Sequence, residues 1–401
     1  MKIMIRPGTA RGRIAAPPSK SDAHRLLIAA GLSEGVSRIR RIAPSEDILA
    51  TLDALRAFGA EVREEKDALL IRGTDPVKAS PGEIRCRESG TTLRLFAPLA
   101  MLSGKEVLFT GSEKLFSRPL SVYEKLAEEK GLGFRRGKGR LLVSGPLPPG
   151  EYGFPGNISS QFASGLLFAL PHPAGESRIT LFPPVESRPY IAMTRATLAR
   201  SGVRILPEGE NSFRIPGGQR FSPLDASPEG DWSNAAFLEG LNLLGGEVTL
   251  DGLREESLQG DKIFRRHFES LKRGDPEIDL SDCPDLGPVL MALSAALSGA
   301  TFRHTERLKL KESDRGEAMR EELSRFGIPV LIEDGAIRVI AAPLQKPRRS
   351  LSGHNDHRVV MALSLLLTLT GGEIEGAEAV NKSFPDYFKT LRRLGIEVEE
   401  R

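Results

Sequence analysis

The chain is poor in cysteine: its 401 residues carry two, Cys86 and Cys283. Two thiols cannot build a disulfide framework, which excludes the small stapled secreted scaffolds and makes a reducing compartment the expectation. Blocks of like charge are also missing. The formal net charge is +3, from 56 Lys+Arg and 53 Asp+Glu, so the charge balance gives no case for a nucleic-acid partner. Long apolar runs are absent too. The longest, around Val359 to Leu367, is interrupted by Ser364 and is too short to cross a bilayer. No membrane partner is expected. The first residues, Met1-Lys2-Ile3-Met4-Ile5-Arg6, alternate like a strand and lack the apolar stretch of a secretory leader. The expected location is the cytoplasm.

Two further absences narrow the chemistry. Six histidines are scattered without ligand spacing and no Cys/His cluster exists, so no metal site is expected. There is no P-loop and no G-x-G-x-x-G following a strand. The expected cofactor complement is none. Apolar content of 40% is ordinary and sufficient for real cores, and the length suggests two domains or one large repetitive one.

What is present is a repeat. Amphipathic runs end in a glycine and lead into a strand: Leu52 to Phe58 then Gly59, Tyr123 to Lys130 then Gly131, and Ala196 to Ser201 then Gly202. A weaker copy ends at Gly274, and two more end at Gly327 and Gly395. Each reads as a helix, a glycine C-cap and a strand. Four continue to a turn and a second short strand, such as Ala68 to Arg72 or Ala336 to Ile340. A second series interleaves: Gly35, Gly104, Gly175, Gly246, Gly299 and Gly372 each separate an apolar helix from a strand. Both series recur at roughly 70 residues, with a shorter step of roughly 53 from the fourth copy to the fifth. Two independent series sharing one short step point to six copies of one α/β unit. Its first helix is nearly all apolar, as in Leu166-Leu167-Phe168-Ala169-Leu170, and a helix apolar all round is buried. Two groups of three such helices, each inside a shell of sheets, would bury them, which predicts two similar domains.

Each apolar helix starts with a polar stretch: Ser19-Lys20-Ser21, Glu88 to Thr92, Asn157 to Gln161, Asp231 to Asn234, Asp282 to Asp285, and Asn355 to Arg358. Helix N-termini present unpaired N–H groups and about half a positive charge, so three on one side of a domain would favour a polyanion. Ordinary capping accounts for the serines and aspartates but not for Lys20, Arg94, Gln161 and Arg358 at the same ends. Further polar groups fall at a matching phase of the repeat: Arg118, Ser187, Lys311 to Arg315, and Lys382. Lys20, Arg94, Arg118, Arg315, Arg358 and Lys382 suit phosphate and carboxylate, while Glu312 and Asp285 are candidate acid or base groups in that positive field. The residues alone point to metal-free group transfer between two anionic small molecules.

At these stretches the chain resembles the enolpyruvyl transferase family, and within it the 5-enolpyruvylshikimate-3-phosphate synthases. The likeness runs end to end. It includes Ser19-Lys20-Ser21 with Arg25, Gly90-Thr91 with Arg94, Ser117-Arg118-Pro119, Ser159-Ser160-Gln161 and Ser187-Arg188-Pro189-Tyr190. It continues through Gly230-Asp231, Pro284-Asp285, Lys311 to Arg315, Asn355 to Arg358 and Lys382 to Tyr387. The resemblance implies two inside-out α/β barrel domains, each of three repeated units with buried parallel helices. It implies a domain of residues 1–18 plus 230–401, with 19–229 inserted as the other, and crossings near Pro17–Ser19 and Glu229–Asp231. It implies transfer of the enolpyruvyl group of phosphoenolpyruvate to the 5-hydroxyl of shikimate 3-phosphate, releasing phosphate, on the way to chorismate and the aromatic amino acids. The expected partners are these small molecules, and the expected state is a monomer.

The resemblance also implies roles. Ser21, Arg25, Ser159, Ser160, Ser187, Tyr190, Asp285 and Lys311 would hold shikimate 3-phosphate. Lys20, Gly90, Arg118, Gln161, Arg315, Arg358 and Lys382 would hold phosphoenolpyruvate, and glyphosate would occupy the same site. Asp285 would take the hydroxyl proton, Glu312 would protonate the methylene carbon, and Lys20 would assist at the leaving phosphate. Two positions depart from common family patterns: Glu88 stands in place of an asparagine, and Arg307 stands where some members have an asparagine. The sister transferases that act on UDP-N-acetylglucosamine usually carry a reactive cysteine in the loop matching Gly111 to Arg118, and this loop has none.

Overall fold

The computed structural model describes residues 1–401, the whole chain. The chain divides into two compact units, Lys20–Pro228 and Met1–Ser19 with Glu229–Arg401. Each has its own apolar core.

The Lys20–Pro228 unit holds three four-stranded sheets of one design. In one of them, Glu83–Arg85 runs parallel to Val107–Thr110. That strand pairs antiparallel with Arg140–Ser144, and Gly133–Gly137 closes the far edge. The parallel pair needs a crossover, and the buried helix Gly90–Ala100 supplies it. Glu151–Pro155, Ser177–Phe182, Ser212–Ile215 and Leu206–Glu208 repeat the order around the helix Ser160–Ala169. In the remaining sheet the first place is taken by Asp225–Ala226, from the end of the unit, beside Val36–Arg40.

The other unit repeats the order in Glu277–Asp279, Ala300–Arg303, Ala336–Val339 and Val330–Glu333. A second sheet joins Leu351–Ser352, Gly372–Glu375, Lys2–Ile5 and Val398–Glu400, so the first strand of the chain completes the last repeat. The third has two strands only, Glu247–Asp251 parallel to Arg11–Ala15. After its helix Phe264–Arg273 the chain enters Glu277–Asp279 directly, with no hairpin between. The missing hairpin is the physical reason for the short step between the fourth and fifth copies.

The apolar helices are buried on all sides. Leu26, Leu27, Ile28, Ala29 and Ala30 of Lys20–Gly31 have no exposed surface, and neither do Leu365, Leu366 and Leu367 of His357–Thr370. Each buried leucine, isoleucine or phenylalanine contributes about 1.5–3 kcal/mol. Gly165 permits a close approach between helices: a Cβ there would lie 2.3 Å from the Tyr123 hydroxyl and 2.5 Å from the Arg94 carbonyl. Tyr123 uses that proximity to donate to the carbonyls of Arg94 and Phe162, at 2.8 and 3.1 Å.

One local start differs from the sequence reading. The 282–285 stretch forms a 3-10 turn, Pro284–Leu286, and the apolar helix begins one step later at Gly287. Lys309 lies in a 3-10 turn, Glu306–Leu310, and the next helix starts at Arg315 behind an Asp314 cap. Leu115 and Ser117 fall in the short helix Glu113–Ser117, with Arg118 as its C-cap.

Candidate active site

In the Lys20–Pro228 unit the expected residues gather in three groups. The first lies at the start of Lys20–Gly31, where the Lys20 ammonium stands 2.8 Å from Asp47 Oδ2. Asp47 belongs to the first turn of Glu46–Ala57, capped by Ser45 through the Ile48 N–H.

The second group surrounds Gly90. Ser89 caps its helix through the Thr92 N–H, leaving Gly90 as the first helical residue. A Cβ on Gly90 would lie 2.8 Å from Arg118 Nη1 and 3.0 Å from Arg94 Nη1, so both guanidinium groups lean over bare backbone. Arg94 donates to Gln161 Oε1 at 2.9 Å and to the Pro119 carbonyl at 3.0 Å. Gln161 in turn donates to Thr91 Oγ1 at 2.9 Å. The result is a fixed patch of donors over a helix N-terminus, a geometry that receives an anion.

The third group centres on Arg25. Its guanidinium donates to Thr194 Oγ1 at 2.9 Å, to the Ser21 carbonyl at 2.6 Å and to the Tyr190 carbonyl at 3.0 Å. Burial pushes Arg25 down to about 10. Ser159 caps Ser160–Ala169 through the Gln161 N–H, which puts Ser159, Ser160 and Gln161 at one helix start. Ser187 precedes Arg188–Arg200 with a left-handed φ of 55° and is buried. A serine in that conformation is strained, as is frequent at ligand-binding positions.

The Glu229–Arg401 segment builds a denser cluster on Arg315, whose side chain is 1% exposed. Its Nε donates to Asp356 Oδ2 at 2.8 Å, its Nη1 to Asp285 Oδ1 at 2.8 Å and its Nη2 to Glu312 Oε2 at 2.9 Å. Asp285 is also 3.1 Å from Lys311 Nζ and 3.1 Å from Arg358 Nη2. Burial opposes its ionisation, but Arg358, Lys311 and Arg315 outweigh it and hold the carboxyl well below the usual range. Burial pushes Lys311 down to about 8; Arg307 and Arg315 add to the effect and Asp285 opposes it. Asp356 caps the helix His357–Thr370 through the Arg358 N–H. Lys382 ends a 3-10 turn, Ala377–Lys382, and donates to the Asn355 carbonyl at 2.6 Å.

The structure therefore brings Asp285, Lys311, Glu312, Arg315 and Arg358 into one cluster and sets Lys382 on the loop beside it. Two carboxylates that the sequence reading gave no role hold this machinery. Asp356 fixes Arg315, and Asp47 pairs with Lys20. Asp356 had a local signal, because it lies in Asn355-Asp356-His357-Arg358. Asp47 had none, being 27 residues from Lys20 in a different helix. The structure also collects Glu321, Glu322 and His354, with ligand atoms within 4.8 Å of one another. Arg325 already pairs with both glutamates, at 3.2 and 3.3 Å.

The family model for EPSP synthase (3-phosphoshikimate 1-carboxyvinyltransferase) matches residues 5–391. The chain belongs to the EPSP synthase family. Among its relatives, the 3-phosphoshikimate 1-carboxyvinyltransferase of Clostridium novyi is 37% identical over 429 residues, covering 99% of this chain and 98% of that protein. That of Brachyspira hyodysenteriae is 37% identical over 423 residues, covering 99% and 100%. In fold, the chain is similar to an EPSP synthase from Acinetobacter baumannii, with a TM-score of 0.78 at 23% identity and full coverage of both chains. It is also similar to the enolpyruvyl transferase NikO from Streptomyces tendae, with a TM-score of 0.77 at 14% identity, covering 99% and 98%. The EPSP synthase family thus has the same α/β architecture of repeated sheets and buried helices. No helix of the chain is long and apolar enough to cross a membrane.

Proposed function

We propose that the protein transfers the enolpyruvyl group of phosphoenolpyruvate to the 5-hydroxyl of shikimate 3-phosphate and releases phosphate, a reaction that agrees with the carboxyvinyl transfer to 3-phosphoshikimate in the relatives' shared name. The observation that carries the reading is the cluster on Arg315, where two carboxylates, Asp285 and Glu312, share one buried guanidinium beside Lys311 and Arg358. Group transfer between two anions needs cations for the substrates and separate groups for two proton transfers, and this cluster contains both kinds.

Lys20, Gly90, Arg118, Gln161, Arg315, Arg358 and Lys382 are assigned to phosphoenolpyruvate. Ser21, Arg25, Ser159, Ser160, Ser187, Tyr190, Asp285 and Lys311 are assigned to shikimate 3-phosphate. Without substrate, Asp285 is the counter-anion of three cations and a weak base. Once phosphoenolpyruvate draws Arg315 and Arg358 to its own negative groups, Asp285 loses their stabilisation and its proton affinity rises. It then accepts the proton of the attacking 5-hydroxyl, whose oxygen bonds to C2 of phosphoenolpyruvate. Glu312, which takes up a proton once Arg315 turns to phosphoenolpyruvate, delivers it to C3, giving a tetrahedral intermediate with a methyl group. The Glu312 carboxylate left by that step takes a methyl proton as phosphate departs, assisted by Lys20, and the vinyl group is restored. The fixed cations stabilise charge as it develops, which is where most of the barrier reduction arises.

The reading extends to the whole molecule: two inside-out barrels of three repeats, residues 1–18 plus 230–401 and 19–229, acting as a cytoplasmic monomer without cofactor. Transfer to UDP-N-acetylglucosamine is disfavoured. Residues 111–118 contain no thiol, and burial pushes up both Cys86 and Cys283, making them poor nucleophiles. Phosphate release measured with each acceptor tests the assignment. Release is expected with shikimate 3-phosphate alone; release with the nucleotide sugar instead would overturn it.

A further inference from the structure

The loop between Ser352 and the helix His357–Thr370 carries two of the site's supports. The Asn355 carbonyl accepts from Lys382 Nζ at 2.6 Å. The Asp356 carboxylate accepts from Arg315 Nε at 2.8 Å and from Ser313 Oγ at 3.1 Å. Yet the loop adopts a conformation its residues disfavour. His354 and Asn355 are consecutive non-glycine residues with left-handed φ values of 47° and 52°. Such a pair persists only where its surroundings hold it.

What holds it is Glu322, a carboxylate with no exposed surface in the helix Arg315–Ser324. One oxygen lies 2.9 Å from His354 Nε2. The other accepts from the Ser352 N–H at 3.1 Å and pairs with Arg325 Nε at 3.3 Å. The His354 N–H donates to Ser352 Oγ at 3.2 Å. The helix that begins with Arg315 therefore grips, two turns later, the loop whose Asp356 orients the Arg315 guanidinium.

We propose that the His354–Glu322 pair is a latch that presets Arg315 and Lys382 for phosphoenolpyruvate and weakens when His354 loses its proton. His354 is a positioning residue, and its role rests on the assignment of Arg315 and Lys382 to that substrate. The charged groups facing its imidazole are Glu322, Glu321 at 3.9 Å and, opposing them, Arg325. The hydrogen bond to Glu322 raises its proton affinity above that of a free imidazole. The latch is thus weakened as pH rises through a value above that of a free imidazole, where the charged hydrogen bond becomes a neutral one.

Steady-state kinetics from pH 6 to 9 test this, with the two Michaelis constants measured separately. For His354→Ala we expect the constant for phosphoenolpyruvate to rise on the order of tenfold at pH 7, while that for shikimate 3-phosphate stays within about twofold. His354→Gln keeps a hydrogen bond to Glu322 but cannot titrate. It is expected to hold the constant for phosphoenolpyruvate near the wild type's high-pH value across the whole range, without the alkaline weakening. Equal changes in both constants would mean a general loss of structure and would overturn the latch. An active wild type with an unchanged His354→Ala would overturn it while leaving the proposed reaction intact. A wild type inactive with both substrates would overturn the reaction itself.

Discussion

Lys311 Nζ stands 3.1 Å from Asp285 Oδ1, and both partners titrate below their ordinary values. Lys311 is pushed to about 8 by burial, so it loses its charge just above neutral pH. With Lys311 assigned to shikimate 3-phosphate, the Michaelis constant for that substrate should rise as pH passes about 8. Lys311→Arg, which stays charged, should flatten the rise. The stability effect has the opposite sense. The unfolded chain holds this proton up to about 10.5, so unfolding takes up a proton between about 8 and 10.5 and this group adds stability as pH rises through that window. A flat wild-type profile from pH 7 to 9 would contradict the assignment.

Removing the anchor of Arg315 should be costly. Asp356 has no exposed surface, and Arg315 is 1% exposed. Asp356→Ala leaves a buried guanidinium without its main partner and also removes a helix cap. The expected loss is about 3–5 kcal/mol, read as a lower denaturant midpoint, with turnover falling too. Asp356→Asn keeps an acceptor and a cap and should cost less.

Gly90→Ala should separate fold from site. The new Cβ would meet Arg118 Nη1 at 2.8 Å and Arg94 Nη1 at 3.0 Å. These are the ends of long side chains that can swing away, so the melting temperature should change little. The displaced guanidinium groups should raise the Michaelis constant for phosphoenolpyruvate. Glyphosate is longer than phosphoenolpyruvate, and its inhibition constant should rise by a larger factor. Equal factors would mean that Gly90 does not discriminate between them.

Much of this architecture is legible in the sequence because it is local. A glycine C-cap after an amphipathic run needs no tertiary information, and Gly59, Gly131, Gly202 and Gly327 all take left-handed φ values after their helices. The short step between Gly246 and Gly299 tied the two glycine series to one repeat, but that a hairpin is missing there shows only in the structure. The polar helix starts gave Lys20, Gln161 and Arg358 for the same reason. The supports were illegible. Asp47 reaches Lys20, Glu322 reaches His354 and Thr194 reaches Arg25 across 27, 32 and 169 residues. Nothing in their neighbourhoods distinguishes these side chains from surface polar residues until the helices are packed.

The central claim is that Glu312 adds a proton to C3 of phosphoenolpyruvate within the Arg315 cluster. Turnover in deuterium oxide, with the product's vinyl group read by mass spectrometry, tests it most directly. A deuteron delivered to C3 enters a methyl group, and the later elimination removes hydrogen or deuterium, so part of the label must remain. The wild type should give product carrying deuterium at the vinyl methylene. Glu312→Gln should turn over about 100-fold slower or worse, with both substrates still bound. Wild-type product free of deuterium would contradict the account.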